Sequence, residues 1–140
     1  MTVSAAYRTA EVATISQRDL IVKLYRGAEN YLALAQEAMH GQRIEAAHLN
    51  CQKARAIFFE LMSTLNFEQG GEIAARLRDL YSFLIFQIVE ANLTKDPEKL
   101  EALKPTLSTL REAWEQIPDS LANVSSIPQE NDGHTCNFKV

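Results

Sequence analysis

The sequence predicts an all-α fold, an antiparallel up-down four-helix bundle with flexible N- and C-terminal tails. Three observations carry this expectation. Apolar residues in the middle of the chain recur at steps of three and four in four separate runs, each the buried stripe of an amphipathic helix. No stretch alternates at period two, so no sheet is expected. The connections between runs are short, which makes successive helices antiparallel neighbours.

The first run is Leu20, Leu24, Ala28, Tyr31, Ala35 and Met39. Ser16 with Asp19 forms an acidic capping box before it, and Ile15 with Leu20 stands where a hydrophobic staple would fix the chain's approach. Gly41 suits the left-handed position that ends this helix. The second run is Ile44, Ala47, Cys51, Ala54, Phe58, Leu61 and Leu65, separated by Gly70-Gly71 from the third, which is Ile73, Leu77, Leu80, Leu84, Ile88 and Ala91. Asp96-Pro97 reads as N-cap and first position of the fourth helix. Its stripe is Leu100, Leu103, Leu107, Leu110, Trp114 and Ile117. Pro105 lies inside that stripe and must either kink the helix or divide it. The unbroken phase of the stripe favours a kink.

These signals divide the chain into an N-terminal segment, residues 1–15, the bundle, 16–117, and a disordered tail, 118–140. The 140 residues suffice for one domain that buries its own core. A net charge of −4 argues against nucleic acid as a partner. Cys51 and Cys136 do not make a disulfide framework, which suits a reducing compartment. The N-terminus lacks the apolar centre of a signal peptide, and no segment reaches the roughly 20 apolar residues of a membrane span. The expected location is the cytosol, without membrane insertion.

Candidate chemistry fails on geometry. Glu37-Ala-Met-His40 and Glu45-Ala-Ala-His48 evoke a di-metal bundle, but at about 100° per residue Glu37 and His40 point away from the stripe. Both pairs crowd the loop at Gly41 rather than meeting at one depth. His48 as a phosphorelay acceptor would want a lysine three residues on, where Cys51 stands. Gly70-Gly71 lacks the lysine and hydroxyl of a phosphate loop, and Glu72 would repel an anion. No catalytic group, metal or cofactor is expected, and a phosphorelay or metal-binding bundle built on His48 remains only as the alternative reading.

What is left is surface. The segment Leu80 to Leu93 carries one charge, Glu90, in a chain that is 23% charged. With Ile73 at zero and the stripe centred near 20°, Ile85 falls at about 120°, Val89 at about 160°, Phe86 at about 220° and Phe83 at about 280°. Phe86 opposes the core, with Phe83 and Val89 beside it. Ile57 and Phe59 leave the stripe of the second helix in the same way. Either neighbouring segments cover these groups, or they form an apolar groove for another chain.

The run LMSTLNFEQGGEIAARLRDLYSFLIFQIVEANL, with Leu24-Tyr25-Arg26-Gly27-Ala28 before it and Leu110-Arg111-Glu112-Ala113-Trp114 after it, resembles the flagellin-export chaperone family, over roughly residues 5–117. The chain departs from that family's wording at Gln17, Arg26, Asn66 and Pro105. The resemblance implies a bundle that binds the disordered C-terminal segment of flagellin, prevents premature polymerisation and brings its client to the flagellar export gate. A weak homodimer in the absence of client is the accompanying expectation, with the oligomeric state left open by the sequence. A coupled folding and binding event of this kind buries about 1,000–3,000 Å², so an extended apolar groove is required. The expected groove residues are Ile57, Phe59, Phe83, Phe86 and Val89, with Tyr7, Val12 and Ile15 of the N-terminal segment folding over them in competition with the client.

Overall fold

A computed structural model describes residues 16–118 and 124–126; Tyr7, Val12 and Ile15 lie outside the described residues. Five helical segments follow one another: α1 (Gln17–His40), α2 (Ile44–Ser63), α3 (Phe67–Thr94), α4 (Pro97–Glu101) and α5 (Lys104–Gln116). Together they make four antiparallel rods, the last divided into α4 and α5. Among the described residues there is no strand, only one antiparallel β-bridge between Leu65 and Ser125.

Register follows from cross-helix contacts. Tyr25 meets Phe58 edge to face, and Lys53 lies over the Tyr31 ring, so α1 and α2 run in opposite directions. His48 touches Asn92 and Met62 touches Ser82, which sets α2 against α3 in the same sense. Arg111 reaches Glu29 at 2.7 Å and Gln36 reaches Glu101 at 2.8 Å, laying α5 and α4 along α1. The α3 helix packs on α2 and α4 and approaches α5 only weakly.

The core is one continuous cluster. In α2 it takes Ala47, Cys51, Ala54, Phe58 and Leu61, with Leu65 beyond the helix, as the period predicts; Ile44, at the first turn, is exposed. In α3 the buried positions are Gly70, Ala74, Leu77, Tyr81, Leu84, Ile88 and Ala91, alternating steps of four and three. This is a strict seven-residue repeat. It corrects the expected stripe at two places: Ile73 is 59% exposed, and Tyr81 is buried where Leu80 is only partly covered. In α1, Ile21, Tyr25 and Leu32 are fully buried, and Leu20 and Tyr31 flank them.

The caps show where sequence signals act and where they do not. Ser16 Oγ accepts the Asp19 amide at 3.1 Å, and Asp96 Oδ1 accepts the Glu98 amide at 3.0 Å with Pro97 in the first position. Gly41 is not left-handed, having φ −86°; Gln42 takes that conformation at φ 58°, and the Arg43 amide closes the turn on the Ala38 carbonyl. The break between α2 and α3 falls at Thr64 to Asn66 rather than at the glycine pair. Asn66 Oδ1 caps α3 through the Gln69 amide at 3.0 Å. Gly71 then kinks α3 with φ 49° and ψ −122°, a conformation open in practice to glycine alone.

Pro105 divides the fourth rod rather than kinking it. Ala102 and Leu103 keep right-handed helical angles, so the apolar phase survives. The ladder nevertheless stops, because Pro105 has no amide to donate, and α5 restarts with Pro105 in its first turn. Part of the expected tail is also placed: the Asn66 amide donates to the Val124 carbonyl at 2.7 Å, and the Ser126 amide to the Thr64 carbonyl at 2.9 Å. Ser125 is fully buried there, its hydroxyl 2.9 Å from that of Thr64.

Candidate partner-binding surface

Seven-residue periodicity in α3 explains what its other side presents. With the core stripe fixed by Leu77, Tyr81, Leu84 and Ile88, about 100° per residue puts Phe83, Phe86, Val89 and Leu93 within an arc of about 120° opposite the core. The accessibilities agree: Phe83 is 51%, Phe86 57% and Leu93 74% exposed, and Val89 is half-buried. On α2, Leu49 and Phe59 lie opposite the buried stripe, and Phe59 is 51% exposed. Ile85 turns toward the core cluster and is partly buried against it.

Pairing of His48 with Asn92 and of Met62 with Ser82 sets the two helices so that Phe59 stands level with Phe83 and Leu49 with Leu93. The result is a ribbon of apolar side chains along α2 and α3, with three phenylalanines at its lower half and two leucines at its upper end. Exposed apolar side chains of this size are unfavourable in a monomer, because each half-exposed ring forgoes part of the roughly 1.5–3 kcal/mol that full burial gives.

Ile57 does not belong to this surface. It is fully buried, since α2 is flanked by α1 on one side and α3 on the other and therefore buries a wider arc than a single stripe. Leu49 and Leu93 are the additions that sequence reasoning missed. Both are exposed, Leu49 at 46% on α2 and Leu93 at 74% on α3, and the same angular count that singled out Phe86 puts Leu93 opposite the core.

Behind the surface, the α3 helix is held by aromatic contacts. The rings of Tyr25, Phe58 and Tyr81 lie 6.1–6.4 Å apart, tilted or edge to face, and the two tyrosine hydroxyls meet at 2.7 Å. Burial pushes the Tyr25 phenol up to about 12, opposed by its hydrogen bonds with Tyr81 and Trp114. The Tyr81 phenol is raised further by burial and by its neighbour Tyr25. Both stay neutral at physiological pH.

The groups that suggested other chemistry lie apart from one another. His48 Nδ1 lies 2.9 Å from Asn92 Nδ2, a hydrogen bond that ties α2 to α3. Glu37 and His40 are exposed at the end of α1, away from the core. Among the described residues no three His, Cys, Asp or Glu side chains gather to hold a metal, and no described helix is long and apolar enough to cross a membrane.

Known proteins resemble this chain over most of its length. The sequence profile of the family described as "Flagellar protein FliS" matches residues 2–121. The flagellar secretion chaperone FliS of Vibrio cholerae is 31% identical over 117 residues, covering 84% of this chain and 86% of that protein. The protein of the same name in Salmonella typhimurium is 35% identical over 107 residues, 76% of this chain and 79% of its own. That of Bacillus subtilis is 30% identical over 115 residues, 82% and 85% respectively. With its helical bundle and this match over most of its length, the chain belongs to the flagellar protein FliS family.

Proposed function

We propose that this protein is a cytosolic secretion chaperone that binds the C-terminal segment of flagellin on the α2–α3 surface, keeps it from polymerising and delivers it to the flagellar export gate. The single observation that carries the reading is the ribbon of Phe59, Phe83, Phe86 and Leu93, exposed on a bundle whose relatives are named flagellar secretion chaperones. A segment that will later bury apolar side chains against other subunits needs equivalent burial beforehand. A line of aromatic and leucine side chains on two adjacent helices offers this to an amphipathic helix at i, i+3, i+4 and i+7 spacing. The ordering of a disordered client costs several kcal/mol, which an extended surface can offset and a single pocket cannot.

Tyr7, Val12 and Ile15 have a place in the same reading, as a cover over this surface that the client displaces. A weak homodimer through the ribbon is the alternative to that cover when no client is present. Copurification tests the proposal. Flagellin with an intact C-terminus should be retained and flagellin truncated there should not; equal retention of both, or of neither, rejects it.

A further inference from the structure

The edge of α2 that faces α3 carries a cation at its centre. His48 and Met62 make the contacts with Asn92 and Ser82, and Arg55 stands midway between them in sequence. At about 100° per residue all three fall within an arc of about 40°. The same pairing sets Arg55 level with the stretch from Ile85 to Val89, inside the seam of the ribbon and near Phe59 and Phe86. Further up, Lys95 caps α3 in the left-handed conformation, φ 53°, with its Nζ 2.6 Å from the Asn92 carbonyl. Burial pushes the Cys51 thiol up, and the charges of Lys95 and Arg55 oppose that rise. Both cations therefore act, from different helices, on one stretch of the seam.

Neither cation has a carboxylate partner among the described residues. Arg55 is half-buried and makes no hydrogen bond or ion pair with them, and Lys95 has the Asn92 carbonyl alone. The acidic residues around them are turned elsewhere. Glu90 pairs with Lys99 at 3.8 Å, Asp96 Oδ1 accepts the Glu98 amide, and Glu60 lies about 140° round α2 from Arg55. Glu45 stands in the first turn of α2, roughly 15 Å along the axis from Arg55, and forms no ion pair with Lys95. In a chain of net charge −4, this leaves a positive seam between apolar borders. A guanidinium half withdrawn from water holds a carboxylate more firmly than one in bulk solvent, and its planar fork takes both oxygens at once.

We infer that Arg55, with Lys95 beside it, is a carboxylate subsite within the ribbon, and that it takes one acidic side chain of the client helix. This rests on the ribbon being the client surface, and it names the chemistry that sets client choice there. A register follows. Phe86 and Leu93 lie about 10 Å apart along the α3 axis, and Arg55 and Lys95 centre near their midpoint. A helix that lays apolar side chains on both must therefore carry its acid three or four positions from each. A purely apolar helix is disfavoured, because it would cover the guanidinium and leave it unpaired.

Titration calorimetry with the C-terminal peptide of flagellin tests this, using the full chain and its Arg55→Gln and Arg55→Lys variants. Arg55→Gln should bind the peptide about tenfold more weakly with its urea midpoint unchanged, and Arg55→Lys should recover part of the loss. The peptide is then varied by changing each Asp or Glu in turn to its amide. One such change, with apolar residues three or four positions to each side, should cost the same factor on the parent and nothing more on Arg55→Gln. Equal affinity of Arg55→Gln and the parent, or losses that simply multiply, overturn the inference and leave the proposed function standing. So does a loss confined to a peptide amidated at its C-terminus, which would put the anion at the chain end. A dimer in sedimentation that Arg55→Gln abolishes while peptide affinity holds makes a second copy the occupant and overturns it too. A parent that binds no peptide removes the client reading, and the subsite with it.

Discussion

The hydroxyls of Tyr25 and Tyr81, 56 residues apart in sequence, meet at 2.7 Å inside the bundle, where neither side chain is accessible. Each satisfies the other in a place water cannot reach, and together they fix the rotation of α3 that turns Phe83 and Phe86 outward.

Replacement of Tyr81 by Phe leaves the Tyr25 hydroxyl with Trp114 as its remaining partner and should cost about 1–3 kcal/mol. Removing both hydroxyls should cost less than the sum of the single changes, with a coupling of about 0.5–3 kcal/mol in urea unfolding. The pair also sets an alkaline limit. Unfolded phenols ionise near about 10, whereas Tyr25 holds its proton up to about 12. Between those values the unfolded chain binds fewer protons, so stability falls as pH rises; below pH about 10 it is undiminished. Helical circular dichroism should drop over that window together with the appearance of phenolate absorbance.

Phe86 and Ile57 should respond in opposite ways. Phe86→Glu changes an outward side chain and should leave the urea midpoint within about 0.5 kcal/mol of the parent while abolishing client retention. Ile57→Ala opens a cavity in the core and should cost about 2–5 kcal/mol. Loss of fold by the Phe86 variant would place that ring in the core and remove it from the binding surface.

Adjacent glycines should fail for different reasons. Gly71→Ala meets no neighbour but must adopt a positive φ, and should cost about 1–3 kcal/mol. Gly70→Ala puts a methyl 2.9 Å from the Ala74 Cβ and 3.1 Å from Val124. It should loosen residues 124–126, seen as faster amide exchange at Asn66 and Ser126.

Much of this was legible beforehand and some was not, for physical reasons. The α2 stripe from Ala47 to Leu65 was readable because it is apolar and unambiguous. Phe59, Phe83 and Phe86 were readable as off-stripe residues for the same reason. Tyr25 and Tyr81 were not, since a tyrosine is buried comfortably only when a distant partner takes its hydroxyl. Ile73 misled because the Gly71 kink and the small Gly70 and Ala74 moved the start of the buried face. Pro105 misled because unbroken apolar phase does not require an unbroken hydrogen-bond ladder. The bridge at Ser125 depends on backbone groups and leaves no side-chain pattern to read.

The Asn66 cap offers a test of one departure from the family's wording. Asn66→Ala should cost about 0.5–2 kcal/mol through the lost bond to the Gln69 amide. Asn66→Asp keeps that bond and adds a charge at the positive end of α3, so its thermal midpoint should rise slightly at low salt.

The cut at Ala102–Leu103 has a mechanical meaning. The α5 helix contributes few fully buried side chains, Leu107 and Trp114 among them. It is fastened to α1 at its edge by Arg111 with Glu29, Arg26 with Glu115 and Arg18 with the Ile117 carbonyl. A rod hinged at one end and held by screened charges along its edge is the part of the molecule built to swing open first, at a free energy below that of global unfolding and falling with added salt.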